Sequence, residues 1–144
     1  MNLLDVNILL ALADSEHSHH SCAKAFFTGV RSTGWATCPI VENGFSRILS
    51  GRSYARPVAS PQIARLILER IMRFPGHQFW PDDLSLCDHA CFPNLPHSKH
   101  LTDCYLLALA VKRGGKLVTF DRGINSTWVP GGDQALLVLE TENP

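Results

Sequence analysis

Short apolar segments alternate with longer helical stretches along this chain, and acids recur where one gives way to the next. Asn2 to Asp5 reads as a buried strand and leads into a helix from Val6 to Ala13. His19 to Val30 repeats apolar residues at helical spacing through Ala23, Phe26, Phe27 and Val30. Trp35 to Cys38 is a second strand. Pro39 then opens a helix to about Leu49 with Ile40, Phe45, Ile48 and Leu49 inward. Gly51 to Val58 is a loop. Ser60 and Pro61 cap and open a helix to about Phe74, with Ile63, Leu66, Ile67 and Ile71 on one face. His77 to Trp80 is a further strand, and Pro81 to His100 reads as a short helix and loop. Leu101 to Arg113 is a helix stopped by Gly114-Gly115, Lys116 to Phe120 a strand, and Leu136 to Glu140 the last strand. Strands alternating with helices are joined by crossovers, so the expected class is an α/β sandwich with a mostly parallel sheet.

In such a sheet ligands gather beyond the carboxyl ends of the strands. Asp5 and Asp121 close strands there, and Glu42 lies in the first turn of the helix that follows the second strand. Asp103 opens a helix of ~11 residues rising ~1.5 Å each, which the chain retraces along a strand of ~5 residues at ~3.3 Å each. The two paths have similar lengths, so Asp103 returns to the same edge as Asp121. Four carboxylates brought together repel and raise one another's pKa values unless a cation compensates. An all-oxygen set suits Mg²⁺ or Mn²⁺, which can activate a water for phosphodiester hydrolysis. Asp5, Glu42, Asp103 and Asp121 are therefore the candidate metal ligands and catalytic acids, with Asn7 and Thr119 as polar support for a ligand or a water. Each acid also has a local reading. Asp5 and Asp103 suit helix starts, Asp121 before Arg122-Gly123 suits a turn, and Glu42 suits an exposed helix face.

At 144 residues, with 45% hydrophobic and 18% charged side chains, the chain fits a single domain over 1–144. Its zero formal net charge gives no general attraction to nucleic acid. The signs are separated, however. Six arginines between Arg47 and Arg73 face only Glu69, and Arg47 and Arg52 are the candidates for phosphate contact. Five cysteines, an odd number, and a start without a basic n-region point to reduced thiols in a cytoplasmic protein. No apolar run approaches the ~20 residues of a membrane span.

The run Leu-Leu-Asp-Val-Asn-Ile-Leu-Leu-Ala-Leu at 3–12 resembles the start of PIN-domain proteins. So do Thr-Asp-Cys-Tyr-Leu-Leu-Ala-Leu-Ala at 102–110 and Leu-Val-Thr-Phe-Asp-Arg-Gly at 117–123. His19-His20 with Ala23 and Phe27, and the Glu42 segment ending Gly-Phe-Ser-Arg at 44–47, fall between them in the same order. In length and motif order the chain is similar to VapC-type toxins of toxin–antitoxin pairs. The resemblance implies a three-layer α/β/α sandwich, an Mg²⁺- or Mn²⁺-dependent endoribonuclease, and a homodimer neutralised by a VapB-type antitoxin. It carries the acidic quartet onto Asp5, Glu42, Asp103 and Asp121, and the polar accessories onto Asn7 and Thr119. Asp82 to His100 aligns with no motif.

Other readings compete. A structure-specific deoxyribonuclease shares the chemistry, but its usual extra acids and long clamp helices are absent. A phosphatase is disfavoured because Asp5-x-Asn7 lacks a second aspartate. A non-catalytic module binding RNA or a partner predicts that removing one acid changes nothing. Cys87, Asp88, His89, Cys91, His97 and His100 are poorly spaced for zinc, and Trp35, Trp80 and Trp128 read as core or rim rather than base-stacking residues.

Overall fold

In the computed structural model, which describes residues 1–141, five parallel strands form one sheet in the order β3-β2-β1-β4-β5. The strands are β1 (Asn2–Leu4), β2 (Trp35–Thr37), β3 (His77–Phe79), β4 (Lys116–Thr119) and β5 (Leu136–Val138). Between them run helices α1 (Val6–Ala13), α2 (His20–Val30), α3 (Pro39–Leu49), α4 (Pro61–Met72), α5 (Leu101–Lys112) and α6 (Gly132–Ala135). Every strand pair is parallel, so the sheet expected to be mostly parallel is wholly so. The strands that sequence begins at 2, 35, 77 and 116 each stop one residue earlier than expected. At β1 the reason is visible: the Asp5 amide still donates to the Val118 carbonyl at 2.9 Å, but its carbonyl already accepts from α1 and its side chain takes the Val6 amide as the N-cap. The last strand stops at Val138 rather than Glu140.

The order of the strands decides where a site can form. From β1 the chain moves through β2 to β3, returns through α5 to β4 on the other side of β1, and continues to β5. Right-handed crossovers then put α1–α4 on one face of the sheet and α5 and α6 on the other. The carboxyl ends of β1 and β4 are where the two connections part, so an open crevice remains between them.

Leu3, Leu4, Trp35, Ala36, Leu117 and Val118 are fully buried between these layers. Helix α5 is buried all round from Cys104 to Ala110, with the sheet on one side and α6 and Phe92 on the other. Leu106, Leu107 and Leu109 are no more than 1% exposed, and each burial is worth about 2 kcal/mol. Trp35 and Trp80 belong to the core, and Trp128 packs on His100.

Helix α4 differs from expectation. Its buried stripe is Ala64, Leu68 and Ile71, while Ile63 and Leu66 are 41% and 51% exposed. Apolar residues occupy two adjacent stripes of this helix, and α4, which packs on α3, seats the stripe that offers small Ala64. The helix ends at Met72 rather than Phe74 because Pro75 disfavours helical geometry in the residue before it. Between Pro81 and His100 no α-helix forms; a 3₁₀ turn at Ser98–His100 leads directly into α5. The short α6 and a 3₁₀ turn at Ser126–Trp128 are additions.

Two glycines fix the geometry near the sheet. Gly76 has φ +90°, and a Cβ there would lie 1.9 Å from the Arg31 carbonyl oxygen, so only glycine makes this entry to β3. At Gly44 a Cβ would meet Val6 at 2.8 Å, so its absence lets α3 lie close against α1. The loop after α3 is tied back to the end of α1. Arg56 pairs with Asp14 at 2.7 Å and the Tyr54 hydroxyl donates to the same carboxylate at 2.6 Å. The Arg56 guanidinium holds the Asp14 carboxyl well below the usual range. One arginine of the basic segment is thus structural, and another, Arg65, forms only an exposed i,i+4 pair with Glu69.

Candidate functional site

Thr119, the last residue of β4, organises the crevice. Its hydroxyl is fully buried, donates to Asp5 Oδ2 at 2.7 Å, and accepts from Asn7 Nδ2 and the Asp121 amide, each at 3.0 Å. One donor and two acceptor positions are all that a hydroxyl has, and all are used. Asn7 completes the link by accepting the Phe120 amide on Oδ1 at 3.2 Å. The ends of β1 and β4 are therefore tied through Asp5, Asn7, Thr119 and Asp121, residues that sequence placed within reach of one another.

Asp5 is 6% exposed and has both carboxylate oxygens occupied, by the Val6 amide and by Thr119. Burial pushes its pKa up against the lowering effect of those hydrogen bonds, and the Asp121 charge adds to the rise. Asp103, half-buried in the first turn of α5, is pushed up to about 6 by burial and then by the charges of Asp5 and Asp121. Its carboxylate makes no hydrogen bond among the described residues. Asp121 accepts the Gly123 amide on Oδ1 at 2.7 Å, which makes it a turn former as well as a member of this group.

Glu42 stands apart from those three. It lies in the first turn of α3, as expected, but its Oε2 accepts from the Thr37 hydroxyl at 2.7 Å. Thr37 is fully buried at the end of β2 and is bonded in turn to His77 Nε2 at 2.8 Å. Burial lowers the His77 pKa, partly countered by the Glu42 charge.

A cavity of about 550 Å³ opens over the crevice, lined by Asp5, Asp82, Asp103, Thr102, Asn43 and Arg47 among others. Arg47 brings the one cationic side chain to this lining, whereas Arg52 is exposed in the loop beyond α3. Asp82 was not singled out from sequence. Its signal is that of the other acids, since it follows a strand, β3, at the carboxyl edge. Among the described residues no three acidic, histidine or cysteine side chains are drawn together tightly enough to close around an ion. The donor set is nonetheless of one kind, carboxylate oxygen, and the charges of neighbouring acids add to the raised pKa values of Asp5 and Asp103. A hard divalent cation fits such a set because it would remove the repulsion. With an arginine on the same wall, the cavity suits a cation bound beside an anionic ester.

Comparison with known proteins agrees with the sequence motifs. Residues 3–127 match the PIN domain. Ribonuclease VapC39 of Mycobacterium tuberculosis is 45% identical over 124 residues, covering 85% of this chain and 89% of the relative. Ribonuclease VapC44 of the same organism is 44% identical over 131 residues, covering 90% and 92%. Among solved structures, VapBC2 from Rickettsia felis bound to a DNA fragment from their promoter gives a TM-score of 0.62 at 12% identity, covering 96% of this chain and 98% of that one. That likeness concerns the fold alone. A five-stranded parallel sheet flanked by helices, the motifs in order and relatives matched over most of their length agree: the chain belongs to the PIN-domain family, and its relatives there are VapC ribonucleases.

Proposed function

We propose that this chain is a Mg²⁺- or Mn²⁺-dependent endoribonuclease, the toxin of a toxin–antitoxin pair, acting on RNA in the cytoplasm. The observation that supports it most is the gathering of Asp5, Asp103 and Asp121 at the crevice between β1 and β4, with Arg47 on the cavity wall. In this reading Asp5, Asp103 and Asp121 hold the cation, and Glu42, from the first turn of α3, is the fourth acid. When bound, the cation would neutralise the carboxylates and make a water acidic enough to attack the phosphodiester. Thr119 fixes the angle of Asp5, and Asn7 holds Thr119 in place. Arg47 receives the phosphate, and Arg52 extends the basic path beyond the cavity. The choice of RNA over DNA follows the names of the relatives.

The purified chain should cleave total cellular RNA with Mg²⁺ or Mn²⁺, and the Asp5→Asn variant should not. Equal weak cleavage by both would expose a contaminant. A folded chain that binds metal but leaves RNA intact would move the reading to a binding module, or to a deoxyribonuclease if DNA flaps are cut instead.

A VapB-type antitoxin and a homodimer belong to the same reading. The VapBC2 assembly supports the first, as does α4, which turns Ile63 and Leu66 outward on either side of Arg65 in sequence. Purified from its own operon, the chain should bring down a small second protein. Alone, it should sediment at twice its 15.9 kDa mass. Recovery of the chain by itself with the neighbouring frame expressed would remove the antitoxin, and a sedimentation mass of one chain would remove the dimer.

A further inference from the structure

Strands β2 and β4 end in the same way. Each closes on a fully buried threonine whose hydroxyl donates at 2.7 Å to an acid, Thr119 to Asp5 and Thr37 to Glu42. On β4 the hydroxyl is held in turn by Asn7 at 3.0 Å, and on β2 by His77 at 2.8 Å. We propose that Thr37 and His77 are positioning residues for Glu42, as Thr119 and Asn7 are for Asp5. This deepens the nuclease reading and rests on Glu42 being one of its acids.

The direction of the hydrogen bonds follows from counting protons. A carboxylate only accepts, so the single Thr37 proton points to Glu42. His77 Nε2 must then be the donor to Thr37, which fixes the ring tautomer with the proton on Nε2. Thr37 holds that ring through Nε2, and Trp35 holds it by packing. The backbone registers His77 opposite Trp35, and the two rings pack with centroids 4.7 Å apart. The edge strand β3, which contributes little to the core, thereby supplies the last member of a chain running from β3 through β2 to α3. A carboxylate on the first turn of a helix has free side-chain torsions, and a hydroxyl donor confines them. Groups that orient a metal-binding carboxylate in this way change metal affinity by about 10- to 100-fold.

The alternative is that Thr37 and His77 only satisfy each other inside the sheet. Thr37→Val keeps the shape and removes the hydroxyl, Thr37→Ser keeps the hydroxyl, and His77→Phe removes the donor from a half-buried position. For each, the Mn²⁺ dissociation constant in the absence of RNA, kcat, KM and the unfolding midpoint are measured, beside Glu42→Gln. Thr37→Val should weaken Mn²⁺ binding about tenfold and lower kcat with KM unchanged. His77→Phe should do the same to a smaller degree. Thr37→Ser should recover parental affinity, and Thr37→Val should cost nothing further once Glu42→Gln is present. Parental Mn²⁺ affinity and kcat in both Thr37→Val and His77→Phe, with Glu42→Gln impaired, would overturn the positioning role and leave the nuclease reading intact. Parental affinity and kcat in Glu42→Gln itself would remove Glu42 from the site, and the relay with it. A loss in Thr37→Val that persists undiminished in the Glu42→Gln background would show that the hydroxyl acts through the sheet alone and would equally overturn the proposal.

Discussion

Asp103→Asn is expected to abolish RNA cleavage and to make the metal-free protein more stable. The carboxyl of Asp103 is held at about 6, above its ordinary 3.8, by burial and by the charges of Asp5 and Asp121. The folded chain therefore binds this proton more tightly than the unfolded chain does. Ionising Asp103 costs folding free energy, and the whole of that cost is present above pH 6. It shrinks as pH falls through about 6 and disappears below about 4, where both states are protonated. Asparagine never carries the charge. With solvent screening allowed for, the gain should be about 1 kcal/mol at pH 7.5 and close to zero at about pH 4. The measurement is urea unfolding in the presence of a chelator at those two pH values. Cleavage should fall by at least about a hundredfold, because the variant lacks one of the charges that hold the cation. A variant less stable than the parent at pH 7.5 would show that Asp103 is paired with a cation from the protein and not strained by its neighbours. Cleavage by the parent should also fade as pH drops below 6, since cation binding needs the ionised form.

The opposite sign is expected at Thr119. Thr119→Val preserves shape but takes away the donor to Asp5 and the acceptor for Asn7 and the Asp121 amide. Three polar groups in a buried crevice are left without that partner, at a cost of about 3 kcal/mol. Stability and cleavage should fall together, and Thr119→Ser should restore most of both. A loss of stability below about 0.5 kcal/mol in the valine variant would mean that water fills the gap and that the hydroxyl is not the tie between β1 and β4.

The contrast between these residues also explains what sequence could reveal. The positions of Asp5, Asp103 and Asp121 follow from chain length and strand direction, because a parallel sheet sends every strand end to one edge. Those quantities are written in local patterns. The orientation of Glu42 is not, since it depends on a threonine five residues before it and a histidine forty residues beyond that threonine. Asp82 carries the same strand-end signal as the other acids, but the stretch after β3 has no periodicity, so the path that turns its acid to the cavity is not written locally. Helix α4 was misjudged because both of its apolar stripes satisfy helical spacing, and only the fit against α3 chooses between them. At four residues, α6 is too short for any period to appear.

The place of β1 between β2 and β4 has a consequence for the order of events during synthesis. Its partner on one side is made by residue 37, but its partner on the other is complete only at residue 119, and Asp121 follows two residues later. A ribosome translating this message has therefore made most of the chain before the crevice can close, and every shorter nascent product lacks the wall that carries Thr119 and Asp121. A ribonuclease with this strand order cannot assemble its crevice before residue 121 has been made. The strand order thus sets the point in synthesis before which the two walls of the crevice cannot meet.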